Sequence, residues 1–210
     1  MDINFEELEK VSINVKKYPK ASLLVVTKNR PQILVKLLIE NGFSLFGENR
    51  VQEANEKFSN LAEFNFELHL IGPLQTNKVK PALSLFDTIQ SIDRHNLVKE
   101  ISKQIKNKNK IKTKNFYIQV NIGEEPQKAG SAIDETLDLY NYAISENLKI
   151  SGLMCIPPLD KKPDSYFKKM IKLRDEINPK LLLSMGMSND YEAALSFQSD
   201  LVRVGSRIFK

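Results

Sequence analysis

Lys28 directly follows the apolar run Leu23-Leu-Val-Val-Thr27. An amine at the end of a β-type run is drawn partly out of water, which lowers its pKa and frees it as a nucleophile toward an aldehyde. Near the other end of the chain, Arg203-Val-Gly-Ser206 closes a second apolar run. Gly205 lets the backbone approach a ligand, and Ser206 offers an N–H and a hydroxyl. Ser184 or Ser188, just upstream, supplies a further hydroxyl, a donor set suited to a phosphate. Other constellations carry less. Asn77 stands where a nucleotide-binding loop needs its second glycine in Gly72-Pro-Leu-Gln-Thr-Asn-Lys78. Glu48 and Glu53 lie five apart at a helix start, a spacing that does not place paired carboxylates on one face. His69 reads as a satisfied core histidine and Cys155 as a small buried hydrophobe. With one cysteine and two histidines, no zinc-site spacing exists.

These residues need a scaffold that brings distant segments together. Short β-type runs at 22–27, 42–46, 66–71, 86–92, 115–122, 149–155, 181–184 and 200–204 alternate with helical segments at 31–40, 49–60, 76–82, 94–107, 131–146, 163–177 and 188–197. A helix over about residues 4–17 precedes them, and Pro31 and Pro163 suit first-turn positions. Alternation with eight strands predicts an α/β fold, a single (β/α)8 TIM barrel over residues 1–210 with an extra N-terminal helix. An open doubly wound sheet is the other architecture compatible with the pattern. At 210 residues the barrel is near its lower size of about 200, with no linker and no room for a second domain. In a barrel, chemistry collects after the C-terminal ends of the strands. Lys28, Glu48-Asn49, Gly72-Pro73, Asp93-Arg94, Asn121, Ser184 to Ser188 and Gly205-Ser206 all fall there.

Joined on one rim, a Schiff-base lysine and a phosphate cradle describe pyridoxal 5'-phosphate, whose aldehyde and phosphate lie at opposite edges of its ring. The chain resembles the pyridoxal phosphate homeostasis protein family. The segments that carry the resemblance include Val25-Val-Thr-Lys28-Asn-Arg-Pro31, Phe46-Gly-Glu-Asn49, His69-Leu-Ile-Gly-Pro-Leu-Gln-Thr-Asn-Lys78, Gly152-Leu-Met-Cys-Ile-Pro-Pro158, Ser184-Met-Gly-Met-Ser-Asn-Asp190 and Val202-Arg-Val-Gly-Ser-Arg-Ile-Phe209. Departures are Arg50, where a tyrosine is usual, and Thr27, where a serine is common. The resemblance implies a fold-type III barrel similar to the barrel half of alanine racemase, monomeric or weakly dimeric, with pyridoxal phosphate held as an aldimine on Lys28. It assigns Arg203 to the pyridine nitrogen, Ser184, Gly205 and Ser206 to the phosphate, and Asn49 to the cofactor side.

It further implies a cytoplasmic, non-catalytic carrier that buffers pyridoxal phosphate, with other B6 vitamers as further ligands and apo-enzymes that need the cofactor as acceptors. An arginine at the ring nitrogen weakens carbanion stabilisation. The alternative is a small-amino-acid racemase, but the racemase domain and tyrosine base have no counterpart, Tyr191 being the nearest candidate. Composition fits a folded soluble domain, 41% hydrophobic and 27% charged, which excludes collagen and wholesale disorder. No apolar stretch approaches the ~20 residues of a membrane span, and the acidic start does not resemble a signal peptide. Seven lysines and one acid between Lys99 and Lys114 give a local charge of +6, more than the whole net charge of +5. That stretch lacks arginine and aromatics, so a solvated helix end is favoured over a nucleic-acid site. Lys128 is left open between a second lysine near the cofactor route and a solvated loop charge.

Overall fold

A computed structural model of the chain describes residues 2–107, 110–158 and 162–210. Eight parallel strands close into a barrel in chain order: β1 (Ser22–Val26), β2 (Leu45–Glu48), β3 (Glu67–Leu70), β4 (Thr88–Ile92), β5 (Asn115–Val120), β6 (Ile150–Cys155), β7 (Leu182–Ser184) and β8 (Leu201–Val204). The helices are α1 (Phe5–Lys16), α2 (Gln32–Glu40), α3 (Val51–Phe58), α4 (Val79–Leu85), α5 (His95–Lys106), α6 (Thr136–Ser145), α7 (Asp164–Ile177) and α8 (Tyr191–Ser196). Closure rests on β1 and β8, which pair over Ser22↔Leu201, Leu23↔Val202, Leu24↔Arg203 and Val25↔Val204. The closed barrel replaces the open-sheet alternative.

Each strand is covered because its outward residues are apolar and meet an apolar helix stripe. Val25, Phe46, Leu68, Leu70, Ile89, Phe116, Ile118, Leu153 and Val202 join Leu34, Leu38, Phe58, Leu83, Ile101 and Phe167 in one buried layer. The α5 lysines Lys103 and Lys106 pair on the outer surface with Glu100 and Glu146, at 3.6 and 2.8 Å. Lys108 of the basic stretch lies outside the described residues.

The N-terminal helix expected ahead of the barrel is present as α1. Among the described residues no helix follows β8, and α1 completes the helical ring in its place. It buries Leu8, Val11 and Val15 and is zipped to the chain end by the Ile3↔Phe209 bridge, by Asn4 N–H to Ile208 O at 2.9 Å, and by Arg207 on Glu7 at 2.9 Å. The expected 42–46 strand lies later because Asn41 and Gly42 terminate α2, Gly42 with φ +86°. Helix α6 starts five residues after the expected 131, since Ser131 bridges to Val120. Pro31 and Pro163 cap their helices one residue before the expected first turn.

The interior has two halves. Leu24, Val26 and Leu201, with Leu45 and Ile71, fill one side. Glycines make room: a Cβ at Gly47 would meet Leu24 Cδ2 at 2.2 Å, and one at Gly152 would meet Tyr117 Cε2 at 2.4 Å and Leu182 O at 2.5 Å. Because Leu182 O is main chain, Gly152→Ala cannot be absorbed by a rotamer change alone. It should cost about 1–3 kcal/mol, the usual range for overpacking, read as a lower urea midpoint at an unchanged slope.

Candidate functional site

The C-terminal mouth of the barrel opens into a cavity of about 1100 Å³. Its wall includes Lys28, Asn49, Arg203, Gly205 and Ser206, five of the six sequence-predicted site residues. The β1–β8 seam brings Lys28 beside the Arg203–Ser206 segment despite their separation in sequence. Asn49 reaches the rim because Gly72 lets the loops after β2 and β3 touch: a Cβ on Gly72 would lie 2.3 Å from Asn49 O. Arg50 is exposed at the N-cap of α3 and does not line the cavity. A second cavity, about 730 Å³ and lined in part by Lys16, Glu67, Asp87 and Lys114, contains none of the predicted residues.

Lys28 is exposed, not withdrawn into a desolvated mouth as its position after β1 suggests. The strand ends at Val26, Thr27 turns its hydroxyl outward to Glu48, and Lys28 rides on a turn whose next residue, Asn29, is left-handed at φ 58°. Arg203, by contrast, is 3% exposed. Its guanidinium donates to Ser184 O, Ser184 Oγ and Cys155 O, each at 2.7 Å. Neither cation has a carboxylate at ion-pair distance among the described residues. Burial lowers the Arg203 pKa, with Asp190 on the same cavity wall acting in the opposite sense, and a guanidinium remains charged, so the cavity floor carries a positive charge that no carboxylate contacts directly. Such a floor suits an anionic or lone-pair acceptor.

Ser184 does not lie where a phosphate contact is expected. It is fully buried, absent from the cavity wall, and links Arg203 to Gln90 by donating to Gln90 Oε1 at 2.6 Å. Gln90 Nε2 continues to His69 Nδ1 at 2.6 Å, and His69 Nε2 to Glu67 Oε1 at 2.7 Å. This column crosses the barrel from the partly exposed Glu67 to Arg203 and confirms His69 as a satisfied core histidine. Ser188, the other candidate, lines the cavity and accepts from Gly205 N at 3.2 Å. Gly205 itself is demanded by barrel closure, because a Cβ there would meet Val26 O at 2.9 Å.

Glu48 and Glu53 meet after all. Glu48 ends β2 instead of starting a helix, and both carboxylates converge on the buried ammonium of Lys57, at 2.6 and 3.0 Å. Helical spacing did not apply to the pair, and Lys57 was not read as a partner. Gln90 was equally missed, although a glutamine in Thr88-Ile-Gln-Ser-Ile92 signals an inward polar group by its period-two position. Lys128 lines the cavity and pairs with Glu125 at 2.6 Å. Tyr191 is buried with its hydroxyl accepting from Asn14 Nδ2 at 3.2 Å, away from the cavity. Among the described residues lining the cavity there is no tyrosine, histidine or cysteine. No helix among the described residues is long and apolar enough to cross a membrane.

Residues 8–210 match the family model described as alanine racemase, N-terminal domain. A curated relative from Aquifex aeolicus, named pyridoxal phosphate homeostasis protein, is 37% identical over 90% of this chain and 86% of its own. PipY of Synechococcus elongatus superposes with a TM-score of 0.87 in the structure solved without pyridoxal phosphate, at 29% identity over 98% of this chain and 99% of PipY. The PipY structure with pyridoxal phosphate bound gives a TM-score of 0.85 at 28% identity over the same shares. An alanine racemase from Clostridium difficile, 15% identical, matches 98% of this chain and 57% of its own with a TM-score of 0.75, a likeness of fold alone.

Two outcomes follow from the buried column and its neighbour. Ser184→Ala leaves Gln90 Oε1 and an Arg203 N–H without a partner, so it should lower stability by about 1–3 kcal/mol in urea unfolding, with the barrel retained by far-UV circular dichroism. Burial pushes the Cys155 thiol up to about 12, so the reactive thiolate is scarce at pH 8. A chromogenic thiol reagent should leave Cys155 unmodified in the native protein and label it promptly in denaturant.

Proposed function

The chain belongs to the pyridoxal phosphate homeostasis protein family, and from that premise we propose that it binds pyridoxal 5'-phosphate in the C-terminal mouth as a reversible carrier. The observation that carries the reading is the pairing, across the β1–β8 seam, of an exposed amine with a buried guanidinium that has no carboxylate at ion-pair distance among the described residues. The cofactor needs an amine for its aldehyde, a donor for its ring nitrogen and neutralising groups for its phosphate. The residues present fit each requirement.

Lys28 would supply the amine for the cofactor's aldehyde, with water as the leaving group. Arg203 would take the side of the ring nitrogen and leave it unprotonated, because a guanidinium does not surrender its proton. Asn49 borders the cofactor side. Gly205 and Ser206 hold the phosphate together with Ser188, while Ser184 acts one step back by fixing Arg203. Pyridoxal phosphate supplies an electron sink when bound. An arginine at the nitrogen weakens that sink, and no cavity-lining tyrosine or histidine among the described residues stands ready to move an α-proton.

The protein therefore holds and releases the cofactor without turnover of its own. It works in the cytoplasm as a monomer or weak dimer, receives B6 vitamers that keep the phosphate, and passes pyridoxal phosphate to acceptor apo-enzymes. Residues 1–210 act as one cofactor-binding domain.

The test is titration of the purified protein with pyridoxal phosphate, followed by borohydride reduction and peptide mapping. Reduction should fix one cofactor on Lys28, and Lys28→Ala should abolish the visible imine band. Label scattered over surface lysines would remove the carrier reading. Measurable α-proton exchange on alanine, lost in Lys28→Ala, would put a racemase in its place.

A further inference from the structure

Lys28 sits on a turn that is joined to β2 by the Thr27 N–H on Gly47 O at 3.0 Å, closed by the Arg30 N–H on Thr27 O at 3.1 Å, and braced a third time from outside the barrel. The support comes from α3, on the outer side of the strand ends. The Lys57 side chain is only 5% exposed, and its ammonium donates to Thr27 O at 2.6 Å, Glu48 Oε1 at 2.6 Å and Glu53 Oε1 at 3.0 Å. Glu53 Oε1 in turn accepts the main-chain N–H of Asn29 at 2.5 Å. Thr27 Oγ1 donates to Glu48 Oε1 at 2.7 Å. The main-chain groups immediately before and after Lys28 are thus both tied to one buried ion cluster.

This arrangement is more than an ion pair that fastens α3 to the sheet. A buried pair contributes little net stability compared with apolar residues of the same volume, because desolvation offsets the attraction. Apolar replacements would also remove the side-chain ties to Thr27 O and to the Asn29 N–H, leaving Thr27 O only the Arg30 N–H at 3.1 Å. Asn29 adopts a left-handed backbone at φ 58°, which asparagine tolerates better than most residues with a Cβ, and its N–H is tied to Glu53 in that conformation. Glu53 holds it from one side and Lys57 the other. Gln32 Nε2 donates to Lys57 O at 2.9 Å, joining α2 to the same point. The turn has fixed anchors on both flanks while Lys28 and Asn29 remain exposed.

We propose that Lys57, with Glu48 and Glu53, is the positioning device for the Lys28 amine, holding the Thr27–Asn29 turn so that this lysine, among those near the mouth, is the one presented to a carbonyl ligand. The inference rests on the proposed reading of the mouth as a pyridoxal phosphate site. None of the three touches the cavity wall, so they act through the backbone of the turn. Reaction at an amine depends steeply on its placement, and a displacement of about 1 Å can cost about 100-fold.

The experiment compares wild type with Glu53→Ala, Glu53→Gln and Lys57→Met in two assays. The first follows pyridoxal phosphate loading at Lys28 by stopped flow, with induced circular dichroism of the bound chromophore. The second omits the cofactor and measures the share of label that Lys28 takes in competitive reductive methylation with formaldehyde, mapped by peptide mass. Glu53→Ala and Lys57→Met should slow loading about tenfold, weaken the induced dichroism and lower the Lys28 share of methylation. Glu53→Gln keeps an acceptor oxygen for Asn29 and should restore both readouts to within about twofold. An ion cluster that merely stabilised the fold would shift the urea midpoint and leave dichroism and labelling share unchanged. Wild-type loading, dichroism and methylation in folded Glu53→Ala would overturn the proposal, and Glu53→Ala decides alone if Lys57→Met does not fold. Absence of a Lys28 adduct in the wild type would remove the cofactor reading, and the methylation assay would still decide the positioning role.

Discussion

The pairing of β1 with β8 is the constraint on which the rest depends. Four register pairs, Ser22↔Leu201 through Val25↔Val204, turn a row of strands into a closed barrel and remove both sheet edges. The same pairs set the start of the chain against its end, so Lys28 and Arg203–Ser206 border one mouth. The seam also dictates local chemistry. Gly205 is glycine because Val26 O lies 2.9 Å from where its Cβ would stand, so a residue that reads as a ligand contact is first a requirement of closure. Tethering α1 to the chain end through Ile3↔Phe209 protects the seam from outside, in the position a helix after β8 would otherwise fill.

A barrel interior closed by apolar side chains alone would be more stable than this one. Here half of it is given to a polar column from Glu67 through His69, Gln90 and Ser184 to Arg203. Every bond in that column satisfies a group that would be costly to bury alone. Its end point is a guanidinium supported by carbonyl oxygens of Ser184 and Cys155 instead of an acid. A carboxylate in direct contact would have neutralised the charge inside the protein. Carbonyl dipoles hold the guanidinium in place, and Asp190 on the mouth wall acts on it only at longer range.

The fold was legible because strand and helix periodicities differ and alternate along the chain, and eight runs were found near their observed places. Boundaries slipped where loop chemistry overrode pattern: Gly42 delayed β2, and Ser131 held the chain extended before α6. Lys28, Asn49, Arg203, Gly205 and Ser206 were legible because strand ends of a barrel converge by construction. The place of Ser184 was not legible because its direction depends on the pleat: it ends β7 facing inward, where it accepts from Arg203. The Lys57 cluster was invisible for a different reason. Its members sit on a strand end and a helix, and their meeting depends on how α3 packs, which no spacing rule for one element contains.

The contrast between the exposed Lys28 and the buried Arg203 bears on the proposed carrier reading. An imine forms and hydrolyses through water, so under that reading a protein that must give up its cofactor gains by leaving the linking amine exposed, as Lys28 would be. An enzyme gains by the opposite, since excluding water protects reactive intermediates. Exposure carries a hazard, because a loosely held surface lysine has no advantage over its neighbours and would compete poorly for a scarce aldehyde. The two needs are reconciled when order resides in the backbone beneath the side chain. Thr27 and Asn29 are fixed by buried charges while Lys28 between them stays open to solvent. Selectivity for one lysine and reversibility at that lysine then come from different parts of the structure and need not be traded against each other.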